Sequence, residues 1–126
     1  MKEIVIELSN KPGELAKVCD SLGRVGVNIV SLVGEGNATG AGVVRLITAD
    51  ENTAVKTLTQ HGFKIKTTEV MTLKLDDRPG ELAKVTLRLA HAGINVDSIY
   101  ILNKEKGLTE LALAVNNEKK AREALK

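Results

Sequence analysis

The chain contains the same seven-residue motif, PGELAKV, twice, at residues 12–18 and 79–85. The repeat extends beyond the motif without a gap. At a constant offset of 67, 11 of 22 positions are identical between residues 11–32 and 78–99. An internal duplication is the first feature to interpret, because a repeated sequence predicts a repeated structural unit. The interval is too long for a solenoid repeat and there are only two copies, so we predict two related small domains.

Both copies open with a predicted strand followed by a predicted helix. Apolar and polar residues alternate over 4–8 and again over 71–75, which is the period of a strand with one buried face. Apolar residues then recur at helical spacing, which predicts one buried stripe on each helix. The stripe residues are Leu15, Val18, Leu22 and Val25 in the first copy and Leu82, Val85, Leu89 and Ala92 in the second. Gly26 and Gly93 follow where a left-handed residue ends a helix.

The rest of each copy predicts two further strands and a second helix. Turn-forming residues separate the members of each strand pair. The predicted strands are 27–35, 43–48, 94–103 and 110–115. Asp50 and Asn117 are suited to cap the second helices, which we predict at 51–61 and 118–126.

Each half therefore reads β-α-β-β-α-β, and we predict tandem ferredoxin-like repeats of the α+β class. Each repeat is expected to form an antiparallel sheet with both helices on one face. The predicted domains are 1–69 and 70–126. In the first, 63–67 forms the fourth strand, but its counterpart would lie beyond Lys126. The final strand of the second domain is thus absent from the sequence, and a longer chain, a three-stranded sheet or another strand in its place all remain open.

The composition excludes several function classes. The chain is 43% hydrophobic with a formal net charge of +2, which is too small a charge to predict a nucleic-acid or anionic-membrane partner. No apolar run approaches the ~20 residues of a membrane span, and the first residues do not resemble a signal peptide. We expect a cytoplasmic protein, because the single Cys19 cannot form an intramolecular disulfide. Cys19 itself is expected to be a buried structural thiol.

The turn between the first strand and the first helix is the best candidate for a binding site. The first N–H groups of a helix have no partner within the helix and lie at the positive end of its dipole. Gly13 and Gly80 let a ligand approach the backbone there, which suits a carboxylate. Asn10 and Asp77 precede these glycines, and for either residue alone, capping of the helix is the simpler interpretation.

A second polar residue favours a ligand over simple capping. Asn28 and Asn95 occupy equivalent positions at the start of the next strand, although asparagine is disfavoured in strands. We expect each to lie at the same end of the sheet as the turn, so that it holds an ammonium together with Asn10 or Asp77. The sequence thus predicts a receptor for a zwitterion. No residue spacing predicts a metal site, a cofactor or a catalytic group.

The order of these motifs resembles the ACT domain, whose pattern is strand, [Asn/Asp]-x-Pro-Gly-x-Leu, helix, Gly-[Val/Ile]-Asn-[Ile/Val] and strand. The resemblance covers both halves of the chain. It implies a regulatory module of amino-acid metabolism that binds amino acids or similar small molecules, usually at an interface between two ACT copies. We therefore predict ligand contacts at Asn10, Pro12, Gly13, Glu14, Leu15, Asn28, Asp77, Pro79, Gly80, Glu81, Leu82 and Asn95.

The resemblance also indicates where the two copies depart from a known relative. In the serine-binding ACT module of phosphoglycerate dehydrogenase, the ligand contacts correspond to Asn10 and Asn28, and a histidine stands at the position of Leu8. Leu8 and its counterpart Leu75 argue against serine and favour a ligand with an apolar side chain. Asp77 accepts hydrogen bonds from an ammonium but cannot donate to a carboxylate, so we expect the two sites to differ in affinity or ligand.

Two functions from different classes remain open. The preferred one is a non-enzymatic regulatory protein without a cofactor that binds an amino acid, forms a homodimer and acts on a separate partner enzyme. The alternative is a ligand-free protein–protein interaction or dimerisation subunit. An enzyme of this fold, such as an acylphosphatase, ranks third because it requires an anion-binding arginine and a catalytic asparagine in one loop, and the sequence has no such loop.

Overall fold

A computed structural model of the chain describes residues 1–37 and 39–126. The chain divides into two compact units, Met1–Thr68 and Glu69–Lys126. The first six elements are β1 (Lys2–Ser9), α1 (Glu14–Arg24), β2 (Ile29–Gly36), β3 (Ala41–Thr48), α2 (Glu51–Gln60) and β4 (Lys64–Glu69). The next five are β5 (Met71–Asp76), α3 (Glu81–His91), β6 (Val96–Glu105), β7 (Leu108–Val115) and α4 (Glu118–Ala124).

The sheets confirm the predicted tandem ferredoxin-like fold. The first sheet has the strand order β2-β3-β1-β4, and the second has the order β5-β7-β6. In the first sheet β3 pairs antiparallel with both β1 and β2, and in the second β7 pairs antiparallel with both β5 and β6. The duplication is therefore visible in the topology. Within the part of the chain that the structure describes, the second sheet has three strands.

The first helix of each unit ends as the sequence predicts. Gly26 has φ 75° and Gly93 has φ 73°, so both adopt the left-handed conformation that glycine tolerates best. The Gly26 N–H donates to the Gly23 carbonyl at 3.1 Å, and the next N–H donates to the Leu22 carbonyl at 3.0 Å. This paired arrangement is a Schellman motif, which satisfies the last carbonyls of the helix.

The second helices are capped by the predicted residues. Asp50 accepts a hydrogen bond from the Thr53 N–H at 3.1 Å, and Asn117 accepts one from the Lys120 N–H at 3.0 Å. The Thr53 hydroxyl also donates to Asp50, and these bonds hold the pKa of the Asp50 carboxyl below its usual range. Among the described residues, no helix has the length and apolar character needed to cross a membrane.

The sheets and helices of each unit enclose a separate apolar core. The buried residues of the first core are Ile4, Ile6, Val18, Leu22, Val27, Val44, Leu46, Ala54 and Leu58. Those of the second are Met71, Val85, Leu89, Ile94, Leu111, Leu113 and Ala121. Both cores consist of aliphatic residues and one methionine, as the scarcity of aromatic residues requires.

The predicted helical stripes are only partly buried, and this corrects the sequence analysis. Val18 and Leu22 are fully buried, but Leu15 is 43% exposed and Val25 is also exposed. Leu15 lines a cleft beside β1 and β3, and Val25 follows the last residue of α1, so the periodicity is right while the buried stripe is shorter. Cys19 was expected to be buried and is exposed, because it follows Val18 on the outer side of the helix.

The left-handed glycine at the start of α1 allows a clean test of backbone strain. Gly13 has φ 91°, and a Cβ added there would meet no atom within 4 Å. Gly13→Ala is therefore expected to lower the free energy of unfolding by about 1–2 kcal/mol through backbone strain alone. Gly23→Ala is the matched control, because Gly23 lies within the same helix and is equally uncrowded. It should raise stability by about 0.5–1 kcal/mol. Urea unfolding measures both changes, and a Gly13→Ala variant as stable as the parent would contradict the assigned conformation.

Candidate functional site

The PGEL motif forms the turn between the first strand and the first helix of each unit. Gly13 precedes α1 with φ 91° and ψ −15°, and Gly80 precedes α3 with φ 88° and ψ −14°. Within the described residues, no side chain caps either helix N-terminus. The Glu14 and Glu81 N–H groups each donate to the backbone carbonyl three residues earlier at 3.3 Å. The N–H groups that follow them, at the positive end of the helix dipole, have no side-chain cap within the described residues.

The structure corrects the capping interpretation of Asn10 and Asp77. The Asn10 side-chain amide donates to the Asn37 carbonyl at 3.1 Å. The Asp77 carboxylate accepts from the Lys104 ammonium at 3.2 Å. Asn37 and Lys104 are equivalent positions at the offset of 67. Asn37 directly follows β2 and Lys104 lies near the end of β6, so each belongs to the hairpin between the second and third strands of its unit. The turn residue is thus connected to that hairpin in both units, rather than to its own helix.

A cleft lies beside each turn. The first has a volume of about 220 Å³ and is lined by residues that include Leu8, Asn10, Lys11, Glu14, Leu15 and Gly34. The second has a volume of about 320 Å³ and is lined by residues that include Leu75, Asp77, Arg78, Glu81, Leu82 and Ile101. These two sets are equivalent, position by position, at the offset of 67. The duplication has therefore produced two versions of one cleft.

An ion-pair network surrounds the second cleft. The Arg78 guanidinium donates to the Asp76 carboxylate at 2.9 Å and to the Glu81 carboxylate at 3.1 Å. Lys84 donates to Glu81 at 3.0 Å. The hydrogen bond from Lys84 and the positive charges of Lys84 and Arg78 hold the pKa of Glu81 below its usual range. Glu81 is therefore ionised at neutral pH, and the cleft presents both signs of charge near the helix N-terminus.

Asn28 lies at the opposite end of its sheet from Asn10, which contradicts the predicted arrangement. Gly42 of β3 pairs with Leu8 near the end of β1 and also with Gly36 at the end of β2. Because β1 and β2 are both antiparallel to β3, they run in the same direction. The residue that precedes β2 is therefore remote from the residue that follows β1, and one unit does not bring the two asparagines together.

The second unit repeats this geometry. Leu108 of β7 pairs with Asp76 at the end of β5 and with Glu105 at the end of β6. Asn95 precedes β6 and so lies at the far end of the sheet from Asp77. Its side-chain amide donates to a carboxylate two residues later at 2.7 Å.

The clefts bring together only part of the predicted site. Asn10, Glu14 and Leu15 line the first, and Asp77, Glu81 and Leu82 line the second. The turn residues Pro12, Gly13, Pro79 and Gly80 shape the backbone beside the clefts. Sequence reasoning missed the contributions of Lys11, Arg78, Lys104, Ile99 and Ile101. These residues could have been identified from the sequence, because the offset of 67 that aligns the two turns also aligns the two hairpins.

Comparison with known proteins identifies the family. A family model described as "ACT domain pair" matches residues 1–126. The chain belongs to the ACT family. This match confirms the predicted resemblance, and ACT domains are regulatory modules. No curated protein matches this chain.

Several solved structures have a similar fold. Protein BT0572 from Bacteroides thetaiotaomicron is 28% identical with a TM-score of 0.88, covering 98% of this chain and 85% of that chain. The ligand-free regulatory subunit of aspartate kinase from Thermus thermophilus is 15% identical with a TM-score of 0.73, covering 98% and 87%. A structure of aspartokinase alpha and beta subunits is 16% identical with a TM-score of 0.70, covering 98% and 88%. At 15–16% identity, the likeness to the two kinase structures is one of fold.

Proposed function

We propose that this ACT pair binds a free amino acid and regulates a separate enzyme of amino-acid metabolism. The observation that carries the proposal is the pair of equivalent clefts, each beside a helix N-terminus that no described side chain caps. A duplicated regulatory fold that retains the same cleft twice is suited to binding a small ligand. The proposal includes no catalytic residue, metal or cofactor.

The chemistry of the clefts matches the two charges of an amino acid. The first N–H groups of α1 or α3 are suited to the ligand's carboxylate, because backbone donors and the helix dipole both favour an anion. In the second cleft the Asp77 carboxylate is suited to the α-ammonium. In the first, Asn10 donates through its side-chain nitrogen, and its side-chain oxygen is the acceptor available to an ammonium.

The regulatory role is supported by what similar folds do. The Thermus thermophilus relative is itself described as a regulatory subunit of aspartate kinase, and 98% of this chain aligns with it. A module of this size is therefore compatible with control of a catalytic partner on another polypeptide.

The positions of Asn28 and Asn95 favour a second copy of the chain. Each lies at the far end of its sheet from the cleft of its own unit, so its own unit does not present it to that cleft. We therefore keep these asparagines in the proposed site as residues presented by the other copy of a homodimer. Sedimentation at micromolar concentration tests the dimer, and a monomer both with and without ligand would remove Asn28 and Asn95 from the site.

Thermal unfolding with each of the twenty amino acids tests ligand binding. At least one should raise the melting temperature at millimolar concentration, because a ligand that binds only the folded state stabilises it by mass action. Derivatives of the same compound blocked at the amine or at the carboxylate should have no effect, since each charge has its own partner. Binding that persists after both kinds of blocking would contradict the zwitterion site.

The alternative is a dimerisation subunit that binds no ligand. Exposed apolar side chains on the edge strand β2 favour it, namely Val30, Leu32 and Val33. Such a strand is a natural pairing surface. If none of the twenty amino acids changes the melting temperature while the chain is dimeric, this second function is supported and the first is not.

A further inference from the structure

We infer that the second cleft, and not the first, selects amino acids with a branched aliphatic side chain. The inference rests on the proposed function and specifies its ligand. It starts from three exposed apolar residues that line the second cleft: Leu82 is 45% exposed, Ile99 is 42% exposed and Ile101 is 56% exposed. Single exposed apolar residues need no explanation, but a cluster of them around a cleft marks a binding surface.

The first cleft has fewer exposed apolar side chains, although Leu8, Val43 and Val44 also line it. Gly34 occupies the position of Ile101, and Gly42 occupies the position of Thr109. Of the exposed large apolar residues in the described chain, Leu15 alone lines the first cleft. The two clefts also differ in volume. Ligand pockets commonly hold about 300–1,000 Å³, and the second cleft reaches about 320 Å³ whereas the first has about 220 Å³.

The second cleft is lined by both charged and apolar side chains. Asp77, Arg78 and Lys104 supply both signs of charge, which suits a zwitterionic head group. Leu82, Ile99 and Ile101 carry no polar group and suit an uncharged, apolar tail. Leucine, isoleucine and valine have both features. A basic or acidic side chain would have to place its charge against an apolar wall, which is unfavourable.

Calorimetric titration of the whole chain with leucine and with glycine tests the inference. Ile101→Thr keeps a β-branched residue in the strand but adds a hydroxyl, and we expect it to weaken leucine binding about tenfold or more. Its effect on glycine binding should be slight, because glycine has no side chain to contact the wall. Leu82→Ala is a second variant on a different element, with the same expected direction. Leu87→Ala, at an exposed leucine of the same helix as Leu82 but outside the cleft, is the matched control and should leave leucine affinity unchanged. Leu15→Ala, at the equivalent position of the first cleft, should weaken leucine binding less than Leu82→Ala does.

The outcomes separate this inference from the proposed function. If the parent chain binds none of the twenty amino acids, the proposed function fails and this inference fails with it. If amino acids bind but Ile101→Thr and Leu82→Ala leave leucine affinity unchanged, or Leu15→Ala weakens it equally, only the inference is overturned. The same holds if Ile101→Thr weakens glycine as much as leucine. A change in sedimentation without a change in leucine affinity would assign the apolar wall to a protein interface and also overturn the inference.

Discussion

Leu22→Ala is expected to lower the free energy of unfolding by about 2–5 kcal/mol, the usual cost of emptying a buried leucine site. Leu22 is fully buried in the first core against both strands and helices. Leu15 lies two turns earlier on the same helix and is 43% exposed, so Leu15→Ala should cost about 1 kcal/mol or less. Urea or thermal unfolding of the two variants measures the difference.

The second unit offers an independent repeat of this comparison. Leu89 is buried and Leu82 is exposed at the equivalent positions of α3. Leu89→Ala should therefore lower the free energy of unfolding much more than Leu82→Ala does. Equal losses at the buried and the exposed leucine would contradict the assignment of one leucine to the core and the other to the cleft.

Asp77→Ala is expected to weaken amino-acid binding at the second cleft by about 1.5–3 kcal/mol, the range for a lost hydrogen bond to a charged group. The variant removes the proposed partner of the ligand's ammonium and leaves the Lys104 ammonium without its partner at 3.2 Å. Stability should change by about 1 kcal/mol or less, because both side chains of the pair are exposed. Calorimetric titration and a melting curve on the same sample give the two quantities.

Two controls make the Asp77 result interpretable. Glu123→Ala removes one negative charge from the exposed face of α4, away from the clefts, and it should leave the affinity unchanged. Asp77→Asn reproduces the residue found in the first copy, and its affinity should lie between those of the parent and Asp77→Ala. If Glu123→Ala weakens binding as much as Asp77→Ala, the effect is one of net charge, and the assigned contact is wrong.

The duplication explains why so much of the fold was predictable from the sequence. Each strand, helix and turn signal occurs twice at one offset, so an ambiguous pattern in one copy was checked by the other. The caps Asp50 and Asn117 and the terminating Gly26 and Gly93 were predictable because each depends on local backbone chemistry. These positions do not depend on how distant parts of the chain pack.

The predictions that were wrong all concern how distant parts of the chain are arranged, which local sequence patterns do not determine. The periodicity of α1 includes Leu15 and Val25, but how far a helix extends over its sheet depends on the length of the sheet. The prediction that Asn28 lies beside Asn10 was wrong, because the directions of β1 and β2 decide which of their ends lie at the same edge of the sheet. The contacts of Asn10 and Asp77 with the hairpins could not be predicted from the sequence, because they depend on how three strands of each sheet align with one another.

The central claim is that the repeated turn binds the ligand, and amide chemical shifts test it most directly. The chain is titrated with the amino acid that raises its melting temperature most, and every backbone N–H is followed. The account predicts that the N–H signals of Gly80, Glu81 and Leu82, or of the equivalent Gly13, Glu14 and Leu15, shift most. The N–H signals of Leu58 and Ala121, which are buried on α2 and α4, should stay unchanged. A saturable titration that moves other residues and leaves both turns unmoved would contradict the account.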